Sequence, residues 1–411
     1  MIPLLMACLG VLVADLLLNV VNQIHQQRHA AEVPAILADL LTPERVRRGQ
    51  AYHRARTLLA RSETLLCAAL WLVFLFGGGL GRYDALLLAH WPAPPMQGMV
   101  FACGLLALRL LVAAPFAWYR QFRLEERYGF NTMSRQLWLA DAIKATLLAL
   151  FFAGLAGAAF PTLLLWRPDS WWLWGWTGLT LFSAALIWLT PWLIEPLFHR
   201  FRPLTQPDLL RSIQQLADTA GLAGARILSV DASRRSRHSN AYFTGLGRQR
   251  RIVLYDNLVN HFQPDEILAV LAHEMGHWRH HHLRYRFLWH ALVTLAGFLL
   301  AQRLWLWGGL PGLVGLNTAS PAAQGLLLLL LMHLAGFFLA PLGNALARRQ
   351  EWQADVFARH LTGRPDRLAD ALVKLARDNL IALHPHPWYV WFNYSHPPLV
   401  ERLEALRDRN G

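Results

Sequence analysis

The chain has 411 residues, 55% of them hydrophobic and 16% charged, against about 45–50% and about 25% in ordinary soluble domains. Its three cysteines, Cys8, Cys67 and Cys103, lie in apolar runs, which excludes a disulfide-stapled secreted domain. The net charge of +13 is almost all arginine, with lysine only at Lys144 and Lys374. The arginines cluster between long apolar runs, the pattern of cytoplasmic loops rather than of a nucleic-acid binder.

A bilayer-crossing helix needs about 20 mostly apolar residues. Seven stretches qualify: 3–20, 62–80, 97–118, 145–166, 171–194, 285–307 and 324–346. The first lacks a basic n-region and a small-residue cleavage site, so it reads as an anchor rather than a signal peptide. Trp166, Trp171, Trp172, Trp174 and Trp176 flank a short hairpin between the fourth and fifth spans, as an interfacial aromatic belt would. Loops 21–61, 119–144 and 195–284 are rich in arginine, whereas 81–96, 167–170 and 308–323 are poor in it. With seven spans, that bias puts the N-terminus outside and the C-terminus in the cytoplasm. Asp15 and Arg109 fall inside spans, where a charge is costly unless paired or facing water. They read as a structural pair or as the lining of a water-filled space.

Two loop segments are long enough to fold. In 195–284 the pattern predicts a helix from Pro207 to Ala220 and a strand over Ile227–Val230. A hairpin follows, with arms Asn240–Gly247 and Arg251–Tyr255 and a turn at Arg248–Arg250. Pro264, Asp265 and Glu266 then open a buried helix. Segment 347–411 predicts helices over 347–361 and 366–380, a Pro-rich stretch and a short helix from Pro398. The domain reading is 1–194 for spans one to five with their loops, 195–284 for a catalytic segment, 285–346 for spans six and seven, and 347–411 for a C-terminal segment.

The catalytic segment carries His273-Glu274-Met275-Gly276-His277, an H-E-x-x-H run on the predicted helix. Imidazoles at i and i+4 share one helix face, so both can reach one tetrahedral zinc. Glu274 is placed to act as general base on a water at that ion. A catalytic zinc wants a third protein ligand and one open position. Glu351 in Glu351-x-x-x-Asp355 offers it, and Asp355 can fix the tautomer of a zinc histidine. Two spans separate the motifs, so both lie on one side of the membrane. His280, His281 and His282 read as a solvated or headgroup-level face rather than a second metal site. On the residues alone, His396 is a structural histidine and Asn240 a turn residue.

Beyond the zinc motif, the chain resembles the type I CAAX prenyl proteases, integral-membrane zinc metalloproteases. The likeness runs through Glu125-Glu126-Arg127-Tyr128-Gly129-Phe130-Asn131, Glu195-Pro196-Leu197-Phe198 with Pro203-Leu204, and Ser239-Asn240-Ala241-Tyr242-Phe243. It continues through the zinc helix with His282, Glu351 to Phe357, and Tyr394-Ser395-His396-Pro397-Pro398 with Arg402. The resemblance implies an α-helical polytopic membrane protein, with seven helices around a water-filled chamber and a gluzincin-like zinc protease domain of helices and a small β-sheet at its cytoplasmic end. It implies one zinc held by His273, His277 and Glu351, with Glu274 and His396 catalytic. Asn240, Ala241, Tyr242 and Arg402 would hold a peptide substrate, which would be cut near a lipidated C-terminal cysteine. A quality-control protease of membrane proteins is the runner-up. A non-catalytic metal-binding transporter is the remote alternative, motivated by Asp15 and Arg109. The arginine-rich, lysine-poor composition points to a GC-rich bacterial genome and an inner-membrane location, where a prenylated substrate depends on the host.

Overall fold

The computed structural model describes residues 1–29, 32–245 and 250–407. Among them seven helices are long and apolar enough to cross a membrane. The N-terminal ones are α1 (Ile2–Arg28), α2 (Pro43–Phe76), α4 (Pro94–Tyr119), α5 (Arg135–Trp166) and α6 (Trp171–Leu189). A short helix, α3 (Gly79–His90), lies between α2 and α4 in what the sequence suggests is loop. Both α4 and α6 continue into π-helical stretches, Arg120–Glu125 and Thr190–Ile194. Such bulges are rare and frequent at functional sites.

The helices outrun the hydrophobic stretches because nothing in the sequence stops them. α2 starts at Thr42, whose side chain accepts from Arg45 N, and passes through an arginine-rich segment before its apolar part. The turn after α5 folds Trp171 back into the bundle. It is 2% exposed and packs edge-on against Phe160, so it belongs to the core and not to the interfacial belt. Arg109 pairs with Glu63 at 3.0 Å rather than with Asp15, and Glu63 also takes Arg120 at 3.2 Å. Glu63 and Arg109 face each other across packed helices, whereas Asp15 has Arg61 as its charged neighbour. The three cysteines are free.

The extramembrane part mixes helices with a four-stranded sheet. In chain order come β1 (Phe201–Pro203), α7 (Pro207–Thr219), β2 (Arg226–Val230), β3 (Ala241–Thr244), β4 (Arg251–Tyr255) and α8 (Pro264–Arg279). The strand order is β1-β2-β4-β3, with β2 parallel to β4 and the other pairs antiparallel. β3 and β4 form the expected hairpin, and its turn at 248–250 falls largely outside the described residues. α8 begins with a capping box between Gln263 and Glu266, which satisfies two end donors reciprocally. Ile213, Leu222, Ile252, Leu254, Ile267, Leu271 and Met275 close the core between sheet and helices.

Next come α9 (His282–Trp307) and α10 (Pro321–Thr362). The 42 residues of α10 run unbroken past residue 346, where the apolar stretch ends, so the seventh span and the Glu351 segment are one helix. Then follow α11 (Pro365–Asp378), α12 (Pro387–Asn393) and α13 (Leu399–Arg407).

Candidate metal centre and the cavity around it

α8 crosses α10 at Gly276, in the second variable position of the H-E-x-x-H run. A Cβ there would lie 2.9 Å from Ala354 Cα and 3.2 Å from its carbonyl oxygen. Only glycine lets the two backbones come this close, and the contact brings Glu351 over the two histidines. His273 Nε2 and His277 Nε2 are 3.2 Å apart, and each is 3.3 Å from a Glu351 carboxylate oxygen. Three donors sharing a tetrahedral ion with bonds near ~2.1 Å sit about 3.4 Å from one another, so the triangle fits zinc. Glu351 is 2% exposed and its Oε2 has no hydrogen-bond partner, a buried charge that a cation would satisfy.

A polar layer orients this trio. His273 Nδ1 lies 2.7 Å from Asp355 Oδ1. Arg402 grips Asp355 in turn, with Nε and a terminal nitrogen at 2.8 and 2.6 Å. Its guanidinium is buried against that carboxylate, at the wall of the cavity around the trio. His277 Nδ1 is 2.8 Å from His282 Nδ1, and His282 Nε2 is 3.0 Å from Gln353 Oε1. If His277 turns Nε2 to an ion, its Nδ1–H donates to His282, whose Nε2–H donates to Gln353. The sequence reading misses this chain. His282 is not on a solvated face: it is 2% exposed because α9 turns it inward, while His280 and His281 are exposed.

Charge follows from these contacts. Burial works against a charged His273, but Asp355 and Glu351 outweigh it and lift its pKa to about 9. Burial and the His273 charge push His277 down to about 3. Burial pushes the Glu274 carboxyl above its usual range, the direction a general base needs to return a proton. His396 Nε2 is 3.5 Å from Glu351 Oε1 and its Nδ1 is 3.0 Å from Ser395 Oγ. Its side chain is 64% exposed by area, and the partial desolvation it meets in the cavity lowers its pKa.

The trio opens into a cavity of about 1080 Å³. Glu274, Asn240 and His396 line it, as do Tyr52, Arg56 and Glu125 from the N-terminal helices. Across it, Tyr52 donates to Glu125 Oε1 at 2.8 Å. His238 reaches Glu125 at 3.7 Å and Asn379 at 2.7 Å, and stacks on Phe130. The sequence reading names Glu125 and Phe130 only within a motif and misses His238. The edge strand β3 packs beside α8, with Asn240 at its start. Ala241 is buried with its N–H donating to Asn240 Oδ1 at 2.9 Å, and Tyr242 donates from its hydroxyl to Glu195 at 3.2 Å, so of the three only Asn240 lines the cavity.

Two family models cover the chain. One is the CAAX prenyl protease N-terminal model of five membrane helices, over residues 22–200, and the other is peptidase family M48, over 203–410. A CAAX prenyl protease 1 homolog of Oryza sativa subsp. japonica is 32% identical over 93% of this chain and 92% of its own. CAAX prenyl protease 1 of Saccharomyces cerevisiae is also 32% identical, over 93% and 90%. An uncharacterized metalloprotease, YhfN, of Bacillus subtilis is 28% identical over 91% and 88%. The crystal structure of S. mikatae Ste24p superposes with a TM-score of 0.91 at 29% identity, covering 98% of this chain and 99% of the other.

Proposed function

The chain belongs to peptidase family M48, among the CAAX prenyl proteases, and from that premise we propose that this membrane metalloprotease cuts peptides near a prenylated C-terminal cysteine. The observation that supports this reading is the cavity. It joins the His273–His277–Glu351 trio to Tyr52, Arg56 and Glu125 at the polar ends of the N-terminal helices, leaving room for a peptide beside the trio and next to the spans.

In this reading His273, His277 and Glu351 hold one zinc. When bound, the ion polarises the scissile carbonyl and lowers the pKa of a water to about 7. Glu274 takes the proton from the attacking water and passes it to the leaving amine, a service worth about 10²–10⁴ in rate. Asp355 holds His273 Nδ1, and Arg402 holds Asp355. That fixes which nitrogen of His273 carries the lone pair. His396 stays neutral, accepts at Nδ1 from the Ser395 hydroxyl and donates from Nε2 to the developing oxyanion. The substrate joins as an added strand at the Asn240 end of β3. The arginine-rich loops on the catalytic side support a cytoplasmic catalytic side with the N-terminus outside, and the arginine-rich, lysine-poor composition supports a bacterial inner membrane.

The test is cleavage of a farnesylated CAAX-type reporter and its non-prenylated twin by zinc-loaded wild type and Glu274→Gln in detergent. The expected result is cleavage of the farnesylated peptide by wild type, a loss of about 10²–10⁴ in Glu274→Gln with zinc retained, and poor cleavage of the twin. Equal cleavage of both peptides would replace this reading with a broader membrane protease of the quality-control kind.

A further inference from the structure

Four arginines line the cavity beside the trio, and three of them already face a carboxylate. Arg402 holds Asp355 at 2.6 Å, Arg120 holds Glu63 at 3.2 Å, and Arg286 stands 3.8 Å from Glu351. Arg56 is the fourth. It lies one turn beyond Tyr52 on the same face of α2, and it is exposed where it lines the cavity. Its charge acts on Tyr52, Glu125 and His238, which puts it at their end of the space. Among the described residues no carboxylate lies within ion-pair distance of it. The nearby Glu125 is engaged by the Tyr52 hydroxyl at 2.8 Å and by His238 at 3.7 Å. A guanidinium left without a counter-ion in a cavity wall suits a ligand carboxylate, which its planar fork can grip through two parallel hydrogen bonds.

The sheet sets which end of a peptide arrives there. β3 is the outermost strand and runs from Ala241 to Thr244, away from Asn240. Antiparallel pairing is the commoner kind, and β3 already pairs that way with β4. A peptide added antiparallel on the open side runs opposite to β3, so its C-terminus points past Asn240. His238 lies two residues before Asn240, about 7 Å along an extended chain, and it reaches Glu125. A chain that leaves the strand at Asn240 therefore meets the His238, Glu125 and Arg56 group within two or three residues. A short segment beyond a cut near the C-terminus has that length, and it ends in a carboxylate.

On the premise that the protein cuts peptides near their C-terminus, we infer that Arg56 determines specificity by binding the free α-carboxylate at the end of the substrate. The peptide is then held at two places, with the scissile bond at the trio and the chain end at Arg56. An amidated C-terminus removes the charge that Arg56 binds, and an extended one carries it out of reach.

The test is binding of a farnesylated CAAX-type peptide, as the free acid and as its C-terminal carboxamide, to full-length zinc-loaded Glu274→Gln protein in detergent, by calorimetry. The free acid is expected to bind about 10–100-fold more tightly, and adding Arg56→Gln is expected to erase the difference. With Glu274 intact, the preference should appear in KM more than in kcat. Equal affinity for acid and amide would overturn the proposal. So would a preference that survives Arg56→Gln, including an equal weakening of both peptides, which is what a lipid headgroup held by Arg56 would give. Binding of neither peptide would overturn it together with the cleavage reading. Equal cleavage of the farnesylated peptide and its non-prenylated twin would remove the prenyl reading, and a surviving acid preference would still support Arg56. Should Arg56→Gln misfold, Arg56→Met, which keeps the stem and drops the charge, carries the same outcomes.

Discussion

Along the first half of α10, Leu329 and Phe338 are 69% and 68% exposed, while in the second half Glu351 and Asp355 are 2% and 3% exposed. Two solvents act on one continuous helix. Where the surroundings are hydrocarbon, outward apolar side chains cost nothing, and the inward face packs through Ala323 and Leu327 against the other spans. Past Leu346 the surroundings are protein and water. Here the helix turns carboxylates inward, affordable only because His273, His277 and Arg402 meet them. The rule that polar groups lie outside therefore inverts within one element, at the end that carries the chemistry.

The largest way to break the comparison is Arg402→Met. It keeps volume but leaves Asp355 buried with only His273 as partner, and removing one side of a buried pair costs about 3–5 kcal/mol. Thermal unfolding in detergent should fall clearly below wild type, with zinc affinity weakened about 10–100-fold. Wild-type stability and affinity together would mean that the carboxylate is satisfied without Arg402.

A matched pair sharpens the other half. Leu327 is 0% exposed and Leu329 is 69% exposed, two residues apart on the same helix. Leu327→Ala should cost about 2–5 kcal/mol as a core truncation, and Leu329→Ala no more than about 0.5 kcal/mol. Equal losses by thermal unfolding would show that the outward face is also packed, as it would be in an oligomer.

Gly276→Val tests the crossing itself. Its Cβ has nowhere to go but the Ala354 backbone, and overpacking costs about 1–3 kcal/mol. Because the displaced element carries Glu351, zinc content should drop further than stability does.

How far the sequence foretells this architecture depends on whether the cause is local. Spans and the H-E-x-x-H helix are legible because hydropathy and i, i+4 spacing are local properties. The continuity of α10 is hidden because Arg348, Arg349 and Gln350 look like the end of a span, although no Gly or Pro stops the helix there. β1 is three residues long and contains Pro203, and the parallel β2–β4 pairing joins segments separated by β3, so no local pattern announces either. Glu63 lies in a predicted span, yet its pairing with Arg109 depends on how α2 meets α4. His238 and Gln353 act only through tertiary convergence, with Glu125 and His282 respectively, and the motifs that contain Glu125 and His282 do not say what they touch.

The smallest expected effect bridges the two regions. Glu125 comes from the π-helical continuation of a membrane helix and His238 from the loop before β3, so their contact stitches one region to the other. Glu125 raises the His238 pKa above its usual value, Asn379 adds to this, and burial only partly opposes it. A group whose folded pKa is raised stabilises fully below its unfolded pKa, near 6.5, and loses that contribution as pH climbs through the folded value. The stability advantage of wild type over His238→Gln should therefore be greatest at mildly acid pH and shrink toward alkaline pH, read as the difference in thermal midpoint across a pH series. The half-exposed position of the ring keeps the effect below those of Arg402, Leu327 and Gly276. A difference constant with pH would mean that the two regions are held together here by the Phe130 stack and the Asn379 hydrogen bond, with no ionic part.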